Sequence, residues 1–145
     1  MSLNSDLFTY LKNTSGVTAK FGTGDNMRIY PDKTSTLTTV FPFATYQRVS
    51  SDHEHHLSAA SGLVSALYRF DVFDNDSVSR GAAAESLREA MDGYKEGTMT
   101  AVDVRWIELQ NERDEYIGPT ASDEVGVFST TMDFLIWYRE SIPTF

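Results

Sequence analysis

The chain contains no cysteine among its 145 residues. Disulfide bonds, thiolate metal ligands and a cysteine nucleophile are therefore excluded. No apolar run approaches the ~20 residues that cross a bilayer, so we expect no membrane association. The opening residues, MSLNSDLFTYLKN, lack a basic stretch followed by an apolar core, which predicts no signal peptide and synthesis in a bacterial cytoplasm.

Basic residues are scarce, with 12 Lys and Arg against 21 Asp and Glu, for a formal net charge of −9. Nucleic-acid affinity comes largely from clustered Lys and Arg, and here the basic residues are scattered. We therefore expect no specific nucleic-acid binding. Aromatic residues make up 12% of the chain, which indicates large apolar surfaces in a core or between subunits.

The first half of the chain predicts a helix followed by strands. Asn4 or Ser5 can cap a short helix, and the turn around Gly22 ends this region. Residues 27–30 form a brief extended piece stopped by Pro31, residues 32–40 form a loop, and residues 43–49 form a strand. From residue 63 the chain alternates, and one face of this strand holds only apolar side chains: Val64, Ala66, Tyr68, Phe70 and Val72.

The second half predicts a helix and two long strands. Asn75 or Asp76 caps a helix that runs to about Tyr94, with an apolar stripe of period 3.6. The stripe comprises Val78, Ala82, Ala83, Leu87, Ala90, Met91 and Tyr94. Residues 100–110 and 125–138 are predicted strands, and the polar residues 111–124 between them are a predicted loop. The last strand turns alternate side chains inward: Phe128, Thr130, Met132, Phe134, Ile136 and Tyr138.

This order predicts an α+β fold, with an antiparallel or mixed sheet of about four main strands and helices packed on one face. Residues 1–145 are expected to form a single domain. Asp133 lies within the last strand, where we expect it to face solvent or a partner subunit. The predicted core comprises Tyr68, Phe70, Leu87, Met91, Trp106, Phe134 and Ile136.

The three histidines lie together in Asp52-His53-Glu54-His55-His56. Imidazole and carboxylate groups bind zinc or nickel, and His53 and His55 would project to one side of a strand. Metal sites usually gather ligands from separate elements, so a solvated polar loop is the competing interpretation. His53, His55 and His56 remain the candidate metal ligands.

Other catalytic arrangements are absent from the sequence. It contains no Gly-x-Ser-x-Gly motif, and Gly22-Thr-Gly24 lacks the third glycine of a dinucleotide-binding turn. The acidic residues follow predicted loops and helix faces. We therefore expect no catalytic residue, no cofactor and no enzymatic activity.

Two motifs resemble a known family. Arg28-Ile29-Tyr30-Pro31 and Pro42-Phe43-Ala44-Thr45-Tyr46-Gln47-Arg48-Val49 are similar to strands of the tail-completion, or tail-terminator, proteins of long-tailed phages and prophages. The resemblance extends from about residue 7 to residue 140 and includes the ending Trp137-Tyr138-Arg139-Glu140. The chain departs from the family pattern at residues 52–56, where the family usually has an uncharged polar turn.

The resemblance implies a homohexameric ring at the head–tail junction of a virion. Such a ring caps the tail tube, provides a docking surface for the head–tail connector protein, and lets DNA pass through its lumen. The alternatives are another connector or tail-tube component, a small metal- or ligand-binding domain using the histidine cluster, or a minor enzyme using buried carboxylates. We expect a candidate interaction surface, or source of acidic lumen charge, that has no part in folding: Glu112, Asp114, Glu115, Asp123 and Glu124.

Overall fold

The computed structural model describes residues 3–24, 27–31, 41–55, 60–92, 94–98, 102–118 and 126–139, with the backbone alone at 53–55, 60–61, 95–98 and 117. The predicted loop at residues 32–40 lies outside these ranges. The described residues form three helices: α1 (Leu3–Lys12), α2 (Ser15–Phe21) and α3 (Ser77–Met91). They also form six strands: β1 (Ile29–Pro31), β2 (Phe43–His55), β3 (Ala60–Asp74), β4 (Lys95–Thr98), β5 (Asp103–Ile117) and β6 (Val127–Arg139).

The strands make one sheet in the order β1-β2-β3-β6-β5-β4. β1 runs parallel to β2, and the other neighbouring strands are antiparallel, so the sheet is mixed. Four strands are long: β2, β3, β5 and β6. The α+β prediction, with about four main strands and helices on one face, is confirmed.

The alternation predicted for β3 is confirmed, because Val64, Ala66, Tyr68, Phe70 and Val72 are all buried. These side chains face the helices. On the neighbouring strand, the Tyr46 hydroxyl donates to the Asn4 backbone oxygen in α1 at 2.8 Å. The Tyr68 hydroxyl donates to the side-chain oxygen of the same asparagine, so α1 is bonded to both strands.

Six of the seven predicted core residues are buried, and Trp106 is the exception at 45% exposure. A register shift lies between Val104 and Trp106, which is the mark of a β-bulge. The extra residue lets Val104 and Ile107 take the buried positions and turns Trp106 to the other face, opposite Trp137. The prediction for Trp106 is therefore wrong.

The predicted cap and helix are confirmed within a few residues. Asp76 is the cap, and its carboxylate accepts a hydrogen bond from the Ser79 backbone N–H at 3.0 Å. The helix ends at Met91 rather than near Tyr94, and Val78 is 78% exposed, so its place in the apolar stripe is wrong. At 3.6 residues per turn, Val78 lies on the side of the helix opposite Leu87 and the other buried residues of α3.

Four other differences concern polar or short segments. Residues 111–117, predicted as loop, belong to β5 and pair with residues 127–133 of β6. β2 continues beyond the predicted strand at residues 43–49, so the solvated loop considered for residues 52–56 is a strand as far as His55. Backbone pairing with a neighbouring strand holds both segments, so they form strands without an apolar alternation. Two short elements, α2 and β4, were not predicted at all.

Candidate interaction surface

The face of the sheet opposite the helices, here called the open face, carries a central polar network. Arg69 in β3 and Asp133 in β6 are register partners, and the Arg69 Nε donates to the Asp133 Oδ1 at 2.9 Å. Beside them, the Thr131 hydroxyl donates to the Asp71 carboxylate at 2.6 Å. Hydrogen bonding to Asp133 and the carboxylate's charge raise the pKa of Arg69 above its ordinary value.

Asp133 is only 9% exposed, so the expectation that it faces solvent is wrong, and contact with a partner subunit stays a prediction. Its carboxylate is satisfied within the chain. The alternation of β6 correctly predicts its side of the sheet but gives no sign of Arg69, which comes 64 residues earlier.

One end of the open face forms a shallow cavity of about 470 Å³. Both tryptophans of the chain line it, together with Leu63, Arg105, Glu108 and Arg139. The Trp106 indole N–H donates to the Glu108 carboxylate at 3.2 Å, which orients the exposed ring. We call Leu63, Trp106, Trp137, Arg105 and Arg139 the Trp patch. Exposed tryptophan beside arginine is the composition most enriched at binding hot spots.

Of the predicted interaction residues, the structure brings three together on β5. Glu112, Asp114 and Glu115 are all exposed, whereas Asp123 and Glu124 lie outside the described residues. Asp114 accepts a hydrogen bond from the Thr130 hydroxyl at 2.7 Å.

Two of these carboxylates also face arginines of α3. Asp114 Oδ2 lies 3.9 Å from Arg80 Nη2, and Glu112 Oε2 lies 3.7 Å from Arg88 Nε. We expected these acids to have no part in folding, but they connect the outer end of β5 to the helix. Exposed pairs of this kind contribute about 0–1 kcal/mol each.

An exposed aromatic side chain stands beside the acids at that end of β5. Tyr116 is 53% exposed, and its ring centroid lies 4.7 Å from that of Phe128 in β6. The Arg80 guanidinium lies 5.8 Å from the Phe128 ring, so this pair is on the helix-covered side of the sheet. We call Tyr116, Phe128 and Asp114 the Tyr patch. The sequence does not single out this patch, because Tyr116 lies within a mostly polar segment, residues 111–124.

A second concavity, of about 510 Å³, lies between α1 and the start of the sheet. It is lined by Asn4, Ser5, Phe8, Thr9, Pro31 and Tyr46. Two of the lining residues are joined directly, because the Tyr46 hydroxyl donates to the Asn4 backbone oxygen. The concavity is therefore a groove between a helix and the sheet that it packs on.

Buried and partly buried ionisable groups cluster where α1 meets the end of α3, and they have structural partners. Asp6 is fully buried and accepts from the Val102 backbone N–H at 3.0 Å. The Tyr10 hydroxyl donates to the Ala90 oxygen at 2.6 Å, and burial raises the pKa of Tyr10. Burial, followed by the nearby Tyr10, Asp6 and Asp103, likewise raises the pKa of Tyr94. These contacts fix the chain between β4 and β5.

The histidine cluster divides between the end of β2 and residues beyond it. His53 and His55 lie in β2, where only the backbone is described, and His56 lies outside the described residues. Among the side chains that are described, no group of three or more His, Cys, Asp or Glu could hold a metal ion. No helix in the described ranges is long and apolar enough to span a membrane.

Comparison with known proteins gives a likeness in fold but none in sequence. No family model matches the chain, and no curated protein matches it by sequence. Among solved structures, the fold is similar to that of a chain in the virion of a native gene transfer agent (GTA) particle, with a TM-score of 0.66. That alignment covers 96% of each chain at 11% sequence identity. At this identity the likeness establishes a shared fold over nearly the whole length of both proteins.

Proposed function

We propose that the chain is a structural virion protein of a tailed phage or prophage, and that it acts as a tail-terminator subunit. In this role it forms a ring that caps the tail tube and offers a docking surface to the head–tail connector. It has no catalytic residue and no cofactor. DNA passes through the lumen of the ring without specific binding.

The observation that carries this proposal is the fold likeness to a chain of the GTA virion, which extends over 96% of both proteins. Fold alone does not determine function, so the surface has to suit the role as well. Here the exposed features are those of a protein that binds protein: an open sheet face, a tryptophan-lined cavity beside arginines, and exposed carboxylates along the outer end of β5. The two motifs that resemble tail-completion proteins suggest the tail-terminator role in particular, and no family model matches the chain to support or exclude it.

The test is assembly and tail binding by the purified chain. Native mass spectrometry across a concentration series is expected to show a hexamer, or a monomer that converts to one at high concentration. Electron microscopy with purified tail tubes is expected to place the added protein at the tube end that joins the head. A chain that stays monomeric at millimolar concentration, and also leaves tail tubes undecorated, contradicts the proposal.

Another connector or tail-tube component is the alternative within the same class, because the likeness to a virion chain does not specify a position in the particle. The same microscopy separates the two roles. A tube component decorates or extends the tube along its length, and a connector binds the portal side without the tube. Neighbouring genes for portal, head–tail joining and tape-measure proteins would support the virion class as a whole.

A further inference from the structure

The Trp patch and the Tyr patch lie at opposite ends of β5 and on opposite faces of the sheet. Trp106 pairs with Trp137 near the start of β5, on the open face, and Tyr116 pairs with Phe128 near its end, on the helix side. Ten strand residues at ~3.3 Å each put the two patches roughly 33 Å apart. One protomer therefore presents two exposed aromatic surfaces that cannot meet each other.

The exposed charges beside the two patches have opposite sign. The Trp-patch cavity is lined by two arginines and one glutamate, and that glutamate accepts hydrogen bonds from Trp106 and Gln110. At the Tyr patch, the Asp114 side chain is 64% exposed whereas its partner Arg80 is only 14% exposed. Arg105 pairs with the Asp103 carboxylate at 3.4 Å, so the exposed guanidinium of Arg139 is the charge that the Trp patch offers to a partner. The Tyr patch offers the exposed carboxylate of Asp114, and the two charges are complementary.

We propose that the Trp patch binds the Tyr patch of a second copy of this chain. The aromatic side chains of Trp106 and Tyr116 pack across the contact, and Arg139 faces the carboxylate of Asp114. Because the two surfaces differ, the contact is heterologous: each copy uses its Trp patch toward one neighbour and its Tyr patch toward the other. Repetition of such a contact gives a ring when the rotation closes. The inference rests on the proposed ring and assigns its interface.

The absence of cysteine from the chain makes a direct cross-linking test possible. One cysteine replaces Asp103, whose register partner is Arg139, so that it stands beside the Trp patch. The replacement removes the Asp103–Arg105 ion pair but keeps Trp106 and Arg139, and the control variant below carries the same change. The other replaces Gly118, where an added Cβ would lie 4.0 Å from the Tyr116 ring and meet nothing closer. Under oxidising conditions Asp103→Cys/Gly118→Cys is expected to give a ladder of disulfide-linked species that ends at the ring's subunit number.

The single variants and a mixture identify the contact as heterologous. Asp103→Cys alone and Gly118→Cys alone are expected to remain uncross-linked, and their equimolar mixture is expected to give dimers and nothing larger. The matched control is Asp103→Cys/Gly16→Cys, because Gly16 is also exposed and has open space for a Cβ but lies on α2. It is expected to give no ladder. Adding Arg139→Glu to the cross-linking pair should weaken the ladder at least tenfold, and adding Asp114→Arg as well should restore it.

The possible failures separate this inference from the proposed function. If native mass spectrometry shows assembly but the Asp103→Cys/Gly118→Cys variant gives no ladder, the assigned interface is wrong, whereas the proposed ring is retained. If Asp103→Cys alone cross-links to dimers, two Trp patches meet each other and the head-to-tail contact is overturned. If the parent chain neither assembles nor binds tail tubes, both proposals fall together.

Discussion

Arg69 and Asp133 face each other across the two central strands, and their ion pair, at 2.9 Å, lies on the side of the sheet that no helix of the described residues covers. The Asp133 side chain is 13% exposed and the Arg69 side chain 39% exposed. The guanidinium therefore shields the carboxylate from solvent. This arrangement lets a carboxylate occupy the middle of a β-strand between Met132 and Phe134 without facing the core.

Replacing Arg69 with methionine should lower the free energy of unfolding by about 1–3 kcal/mol, because it leaves a largely buried carboxylate without its charged donor. The double variant Arg69→Met/Asp133→Leu should recover part of that loss, since a buried pair replaced by apolar groups is often neutral. Urea unfolding of the four members of the cycle measures both effects. If the parent and Arg69→Met have the same free energy of unfolding, the ion pair does not contribute to stability.

Phe134 carries the core packing of β6. It is fully buried, and its ring meets that of Phe70 edge to face, at 5.6 Å between centroids. Phe134→Ala is expected to cost about 3–5 kcal/mol through lost burial and the cavity left behind. Denaturant unfolding measures this, with the exposed Val78→Ala as the control that should change little. An unchanged denaturant midpoint for Phe134→Ala would contradict the inward orientation of this side chain in β6.

The start of α3 depends on one side chain, because Asp76 accepts a hydrogen bond from the Ser79 backbone N–H. Asp76→Ala should lower the free energy of unfolding by about 1 kcal/mol, and Asp76→Ser should retain most of it. Thermal and urea unfolding of both variants check this. The neighbouring Asn75→Ala serves as the control, since the sequence alone leaves Asn75 and Asp76 equally plausible as caps.

Alkaline pH should destabilise the protein through the tyrosines at the α1–α3 contact. The pKa of Tyr94 is raised from its ordinary value of 10.0, mainly by burial and then by the nearby Tyr10, Asp6 and Asp103. A group whose pKa is raised on folding stabilises the folded state fully below its unfolded pKa, and this contribution is lost as the pH rises through the folded pKa.

The melting temperature is therefore expected to fall steeply above about pH 10, and Tyr94→Phe should lessen that fall. Absorbance at the tyrosinate band reports the ionisation, and thermal unfolding from about pH 8 to about pH 11 reports the stability. The same alkaline loss in Tyr94→Phe as in the parent would assign the effect to other groups.

Neutralising Glu112, Asp114, Glu115, Asp123 and Glu124 to their amides should change the free energy of unfolding by less than about 1 kcal/mol for each ion pair lost. Asparagine at position 114 still accepts from the Thr130 hydroxyl, so the strand end should stay in place. We expect the variant to assemble or join tails poorly in a phage complementation assay. The matched control is Glu85→Gln/Glu89→Gln, which neutralises two acids on the exposed side of α3. Full infectivity of the five-site variant would show that its five acids are only solvated surface.

The apolar periodicity predicts much of this fold from the sequence. Val64 to Val72 repeats every second residue, and the strand, its buried face and the α+β class follow from that pattern. The position of Trp106 could not follow, because a single extra residue in β5 reverses the phase of the strand, and a bulge leaves no mark in composition.

The candidate surface was only partly predictable for a similar reason. Glu112, Asp114 and Glu115 can be singled out by their charge, but their place in a strand depends on hydrogen bonds to β6, which polar side chains do not reveal. The pairing of Trp106 with Trp137, and that of Arg69 with Asp133, join residues far apart in the chain. No local pattern carries such information.

The sheet order also has a consequence for how the chain acquires its structure. β2 with β3, and β5 with β6, are antiparallel neighbours that follow each other in sequence, so each pair can form soon after a short closure. The seam between β3 and β6 joins partners such as Arg69 and Asp133, which are 64 residues apart, and the entropy of closing that long loop must be overcome before any contact is gained. We therefore expect two hairpins to form early and the rate of folding to be governed by their meeting along this seam.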